Sequence, residues 1–235
     1  MKNYFHISLM IVLVMTVSLP ASAQYYRNGR PIPPSKRASY YSQHQYGASR
    51  DGDTYFGLRL GFGVSTVSSD NTTFDTNKSK TGLNVGVAVG TQLTSQAPVF
   101  FESGLYYTEK GGKSTHNGTR FTYNLDYLEA PLLVKYKVYP SRDVSVEPFF
   151  GGYLACGIAG KIKDYNNREA YSSFGDEDDT FNRFDGGLRF GCGVSYQMLY
   201  LEASYDLGLA NVGKDSFDDA RNRCFNLTVA GLAWR

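Results

Sequence analysis

Ser114 and His116 have the types and spacing that acyl-transfer chemistry uses. They stand two residues apart beside Thr115, and a serine activated by a histidine base is the centre of many hydrolases. However, the sequence has no Gly-x-Ser-x-Gly elbow, and the segment around the pair is polar and predicted to be a flexible loop. We therefore interpret the pair as part of a polar loop and predict no catalytic residues.

Two other segments have the composition of ligand sites. Gly157–Lys161 reads GIAGK, but a phosphate-binding loop needs Ser or Thr after the lysine, and Ile162 stands there. The carboxylates of Asp176–Asp179 could hold calcium or bridge lipopolysaccharide through divalent cations, but they lack the Asp-x-Asp-x-Asp spacing followed by glycine. We interpret that segment as a solvated acidic loop and predict no cofactor and no metal.

The remaining charges follow a strict pattern, which is clearest in the stretch YLEAPLLVKYKVYP, residues 127–140. Its apolar side chains recur at every second position, whereas Glu129, Lys135 and Lys137 all fall on the opposite parity. Period two predicts a β-strand with one apolar and one polar face.

Alternation of this kind recurs from Thr54 to the C-terminus. The predicted strands are Thr54–Ser65, Thr81–Leu93, Pro98–Glu109, Phe121–Val138, Val144–Gly160, Arg183–Gln197, Leu199–Val212 and Arg223–Arg235. Their connections alternate between long polar loops (66–80, 110–120, 161–182, 213–222) and short turns (94–97, 139–143, 198). An even strand number with alternating long and short connections is typical of an outer-membrane barrel. We therefore predict an all-β, eight-stranded, antiparallel, up-and-down transmembrane β-barrel.

The glycines indicate which face is inside. Gly57, Gly61 and Gly63 share the parity of Arg59, and Gly187, Gly191 and Gly193 share that of Arg189. The lumen of an eight-stranded barrel is only just wide enough to be filled by side chains, so small residues are needed there. The polar face therefore points inward and the apolar face meets lipid.

A lumen charge network follows from this assignment. A Lys or Arg on the lipid face near the midplane would cost about 2–4 kcal/mol, so the charges of both signs should meet inside the barrel. The predicted members are Arg59, Glu102, Glu129, Lys135, Lys137, Glu147, Arg189, Glu202 and Asp206.

The N-terminus indicates the compartment. Residues 1–23 combine Lys2, an apolar run and the small-residue site Ala21–Ala23, which predicts a signal peptide cleaved after Ala23. Residues 24–53 are basic and contain Tyr and Pro without periodicity, which indicates a flexible periplasmic tail, and residues 54–235 form the barrel. We therefore expect export to the bacterial outer membrane.

Composition supports the same class. The 19 Tyr, 15 Phe and 25 Gly are typical of strands, and 24 Lys+Arg against 22 Asp+Glu give no reason to expect nucleic acid binding. The three cysteines, Cys156, Cys192 and Cys224, are an odd count and not a disulfide framework.

The run YLEAPLLVKYK, with FESGLYYTEKG before it and EPFFGGYLACG after it, resembles the PorT-like outer-membrane β-barrel family of Bacteroidetes, also described as the outer membrane protein beta-barrel domain. The resemblance covers residues 54–235, and LEAPLLVKY is its most specific piece. It implies an eight-stranded barrel in the outer membrane, and the namesake member is implicated in type IX protein secretion.

We therefore expect a non-enzymatic barrel, either an accessory of type IX secretion or a surface interaction and structural protein. The alternatives are a small porin-like channel and, less favoured, an outer-membrane enzyme. The expected partners are outer-membrane lipid and, through the tail, peptidoglycan or periplasmic or secretion-machinery proteins. We expect a monomer.

Overall fold

The computed structural model describes residues 54–69, 78–94, 97–116, 119–140, 144–164, 170–174, 181–214 and 220–234. The predicted signal peptide, the predicted tail and the acidic segment Asp176–Asp179 lie outside these ranges. Within them, no helix has the length and hydropathy required to cross a membrane.

The described residues form ten β-strands. They are β1 Thr54–Ser69, β2 Lys78–Gln92, β3 Val99–His116, β4 Thr119–Tyr136, β5 Val144–Ala159, β6 Lys161–Asp164, β7 Tyr171–Ser172, β8 Phe184–Tyr196, β9 Leu199–Gly208 and β10 Ala220–Trp234.

Eight of these strands close an antiparallel barrel, as the sequence predicts. The hydrogen-bonded order is β3-β2-β1-β10-β9-β8-β5-β4, and the pairing of β3 with β4 completes the circle. The short strands β6 and β7 extend the sheet beyond one end of β4. Both chain-terminal strands, β1 and β10, are neighbours, with Tyr55 opposite Trp234 and Ser69 opposite Ala220.

The strand boundaries correct two predictions. The predicted loop 110–120 is mostly strand, because β3 continues to His116 and β4 begins at Thr119, and the register runs unbroken between Gly111–Asn124 and His116–Thr119. Ser114 and His116 therefore belong to a β-hairpin rather than a flexible loop. The predicted loop 161–182 contains β6 and β7.

The outward face is an apolar belt, as expected for a surface in lipid. Its exposed side chains include Leu58, Leu60, Phe62, Val85, Val87, Leu132, Val134, Phe150, Leu154, Phe190, Val194, Leu201 and Val229. The belt ends toward the long loops at polar residues such as Thr66, Glu109 and Asp126. Since short turns face the periplasm in such barrels, we expect this end to be the extracellular one.

Candidate functional site in the barrel lumen

The structure places all nine residues of the predicted charge network inside the barrel. Their exposed fractions lie between 0 % and 4 %. They divide into a periplasmic, a central and an upper cluster along the barrel axis.

The periplasmic cluster surrounds Lys137. Its Nζ lies 3.5 Å from Oε1 of Glu147, and this oxygen also accepts hydrogen bonds of 2.7 Å from the hydroxyls of Ser145 and Ser195. The ammonium group lies 4.5 Å from the ring centre of Phe100. An aromatic face and a carboxylate together stabilise a cation that is shielded from water.

The central cluster is built on two cations and two carboxylates. Arg59 donates to Glu102 and Glu202 at 2.5 Å each, and Lys135 Nζ lies 2.9 Å from Glu102 and 3.4 Å from Glu202. Tyr200 donates its hydroxyl to Glu202 at 2.7 Å and accepts a hydrogen bond from Lys135 at the same distance. Four strands, β1, β3, β4 and β9, are thereby joined across the lumen.

The upper cluster includes two residues that the sequence analysis does not select, Lys110 and Asp185. Lys110 Nζ lies 2.8 Å from Glu129, 3.5 Å from Asp185 and 3.8 Å from Asp206. Arg189 donates to Glu129 at 2.5 Å and to both oxygens of Asp206 at 2.5 and 2.7 Å.

Both additional residues fit the parity of their strands. Lys110 continues the inward row of β3 that contains Glu102 and Thr108, and Asp185 lies four residues before Arg189 on β8. Parity could have identified Asp185 directly. Lys110 required the further knowledge that β3 continues through Gly111 and Gly112.

An aromatic and aliphatic cap closes the extracellular end of the lumen above these clusters. Its buried members are Val67, Tyr123, Leu125, Tyr127, Tyr153, Ala155, Ile162, Phe174, Phe181, Val212 and Ala220. The ring of Phe174 meets Tyr127 edge-on at 5.6 Å, and Phe181 lies 5.4 Å from Tyr123. Because Phe174 and Phe181 follow β7, outside the barrel strands, strand periodicity gives no signal for them.

Glycines make room for the large side chains in the lumen. A Cβ atom at Gly90 would overlap the ring of Tyr55, and one at Gly193 would overlap the ring of Tyr200. The rings can therefore lie flat against neighbouring strands and present their hydroxyls to the carboxylates. These two contacts explain why glycine stands on the inward parity at positions 90 and 193.

The described residues contain no group of three or more His, Cys, Asp or Glu side chains arranged to hold a metal ion. The side chains of Ser114 and His116 lie outside the described part of the structure. Cys156 is exposed on the lipid-facing side, Cys192 is half-buried, and Cys224 is buried in the lumen; all three are free thiols.

Comparisons with known proteins agree with this architecture. The profile of the family described as "Outer membrane protein beta-barrel domain" matches residues 41–213. Comparison with curated protein sequences gives no match.

Several solved structures are similar to this chain at low sequence identity. OprG from Pseudomonas aeruginosa is 8 % identical, with a TM-score of 0.48, covering 80 % of this chain and 99 % of that chain. Neisserial surface protein A is 16 % identical, with a TM-score of 0.46, covering 75 % and 96 %. Ail of Yersinia pestis, bound to a heparin analogue, is 14 % identical, with a TM-score of 0.41, covering 77 % and 99 %. These identities are too low to transfer a function.

Proposed function

This chain belongs to the outer membrane protein beta-barrel domain family, and we propose that it is a closed, non-conducting and non-catalytic barrel that acts through its outward-facing and periplasmic surfaces. The family places it in the bacterial outer membrane. The filled lumen is the observation that carries the proposal.

Three features of the lumen support a closed barrel. Five cations, Arg59, Lys110, Lys135, Lys137 and Arg189, each lie within 4 Å of at least one carboxylate. Tyrosine and phenylalanine rings fill the space between them, and the cap covers the extracellular end. An ion crossing this lumen would have to displace paired groups at three levels, whereas a porin keeps an aqueous path.

The same pairing supports the non-catalytic part of the proposal. General base catalysis needs a carboxylate or histidine within reach of a substrate and poised to take its proton. The lumen carboxylates Glu102, Glu129 and Glu202 each lie against two cations and are buried. A substrate could therefore not reach them without opening the barrel.

Conductance measurement tests the proposal. The purified full-length protein, inserted into planar bilayers, is expected to give no steady unitary current, while a general porin in the same membrane serves as the positive control. Regular current steps from the pure protein would overturn the proposal in favour of a small porin-like channel.

We also propose a role for the tail, residues 24–53, in contact with peptidoglycan or a periplasmic component of type IX secretion. The resemblance of YLEAPLLVKYK to the PorT-like family supports the secretion context, and the basic, proline-containing composition of the tail suits an acidic surface or a protein groove. Gene deletion followed by measurement of surface-exported proteins tests this role. Unchanged export would overturn the secretion role and leave the closed-barrel proposal intact.

A further inference from the structure

A row of lysines crosses the extracellular part of the sheet. Lys78 on β2 is directly opposite Lys113 on β3, Lys113 is opposite Thr122 on β4, and Thr122 is opposite Lys163 on β6. Directly opposite residues of antiparallel strands lie on the same face of a sheet, with Cβ atoms about 4.5–5.5 Å apart. Lys78, Lys113 and Lys163, on three of four strands that are neighbours in the sheet, therefore share one face.

That face points away from the barrel axis. The next row of the sheet, which must face the other way, contains Gly112, Tyr123 and Ile162, and Tyr123 and Ile162 are buried in the cap. The side chains of Lys78, Lys113 and Lys163 are all exposed. Lys161 is two residues from Lys163 on the same short strand and is exposed as well.

The row carries an excess of positive charge. Like charges directly opposite each other destabilise a sheet, and none of the carboxylates whose side chains the structure describes forms a salt bridge with Lys78, Lys113, Lys161 or Lys163. The outward carboxylates of β3 and β4 are Glu109 and Asp126, which face each other four residues lower. Four residues correspond to about 13 Å along a strand, so they do not neutralise the row.

The height of the lysine row above the apolar belt determines which layer of the membrane surrounds it. Leu128 on β4 is an exposed belt residue six residues below Thr122, which is about 20 Å along the strand. With the strand tilt of about 35–45° in such barrels, the row stands roughly 15 Å above that point. A laterally directed surface at this level meets the head groups of outer-leaflet lipid, not the open solution above the barrel.

We propose that Lys78, Lys113 and Lys163, together with Lys161, bind the phosphate groups of the lipopolysaccharide that surrounds the barrel. Lysine ammonium groups bind phosphate as point charges and need no fixed orientation, which suits a row of exposed side chains beside a fluid glycolipid layer. Binding also relieves the repulsion between Lys78 and Lys113.

Titration of the purified full-length protein with lipopolysaccharide tests the proposal. Replacement of Lys78, Lys113 and Lys163 by glutamine together is expected to weaken binding on the order of a hundredfold, from about fivefold per basic residue at a lipid surface. Enzymatic or chemical removal of the lipid phosphates should weaken binding of the unaltered protein similarly and have little further effect on the triple variant.

A second triple variant, with Arg27, Lys36 and Arg37 replaced by glutamine, removes the same charge from the predicted periplasmic tail but leaves the row intact. Its affinity should stay within a few fold of the unaltered protein, and heat-modifiable gel mobility should show that both variants are folded. An equal loss in the two variants would overturn the proposal, because net charge would then explain binding. Tighter binding of soluble heparin than of lipopolysaccharide would also overturn it, in favour of a soluble polyanion.

Discussion

Lys110 Nζ lies 2.8 Å from Oε2 of Glu129 inside the barrel, and both side chains are fully buried. The pair joins two strands of one hairpin, β3 and β4, at the level where Arg189 reaches across from β8 to the same glutamate. Removing one member of such a buried ion pair destabilises the fold strongly, because the remaining charge is left buried without a partner.

Replacement of Lys110 by methionine should therefore destabilise the barrel strongly. Among the described residues, the loss leaves Glu129 and Asp206 with Arg189 as their only cation within salt-bridge distance and leaves Asp185 with none, and breaking a buried pair costs about 3–5 kcal/mol. Urea titration of the protein in lipid vesicles measures the free energy of unfolding. Lys113→Met, three residues along the same strand but exposed, is the matched control and should change it by about 0.5 kcal/mol or less. Equal effects of the two variants would contradict the importance of the buried network.

Gly193→Ala should displace the ring of Tyr200, because the added Cβ atom would overlap it. Overpacking of this kind costs about 1–3 kcal/mol, and movement of the ring would also weaken the hydrogen bonds of its hydroxyl with Lys135 and Glu202. Gly231→Ala is the control, since no atom lies within 4 Å of its added Cβ. Unfolding curves of the two alanine variants give the loss in the free energy of unfolding for each. A larger loss for Gly231→Ala than for Gly193→Ala would refute the ring-packing explanation.

Removal of the cap should make the buried thiol of Cys224 accessible from outside. In a protein whose Cys156 and Cys192 are replaced by alanine, a membrane-impermeant maleimide should leave Cys224 unmodified. Additional replacement of Phe174 and Phe181 by alanine removes the two rings that cover Tyr127 and Tyr123, so labelling should become at least tenfold faster. Mass spectrometry follows the modification. Rapid labelling with the cap intact would show that the lumen is open to the extracellular side.

A variant that keeps residues 1–23 for export but lacks residues 24–51 should still form a heat-modifiable barrel, because β1 begins at Thr54 and no strand is lost. Crosslinks to periplasmic components should disappear with the tail. The comparison is made by gel mobility and by crosslinking in whole cells. Crosslinks that persist would assign the partner surface to the short periplasmic turns 94–97 and 139–143 instead.

Much of the fold could be predicted because strand parity is a local signal. The charges of YLEAPLLVKYK fall on one parity, glycines mark the same face on other strands, and the eight-stranded antiparallel barrel is confirmed by the observed closure. The nine predicted lumen residues are all placed inside by the structure, for the same reason.

The features that could not be predicted depend on backbone geometry and on distant contacts. Gly111 has a φ of 133°, a conformation that glycine adopts readily, and β3 continues through it to His116, where the sequence predicts a polar loop from Lys110 onward. Phe174 packs on Tyr127 and Phe181 packs on Tyr123. These partners are far apart in the sequence, and strand periodicity does not predict such contacts.

The barrel can close only after β10 has paired with β1. Arg59 on β1 meets Glu202 on β9, 143 residues later, and the wall beside Arg59 is supplied by β10, the last strand of the chain. A partly synthesised chain thus lacks the final seam and one of the two counter-charges of Arg59, Glu202. Such long-range contacts make folding slow. The whole polypeptide must therefore remain unfolded and protected until its last strand is available, and insertion into the bilayer becomes a single late event rather than a process that follows synthesis strand by strand.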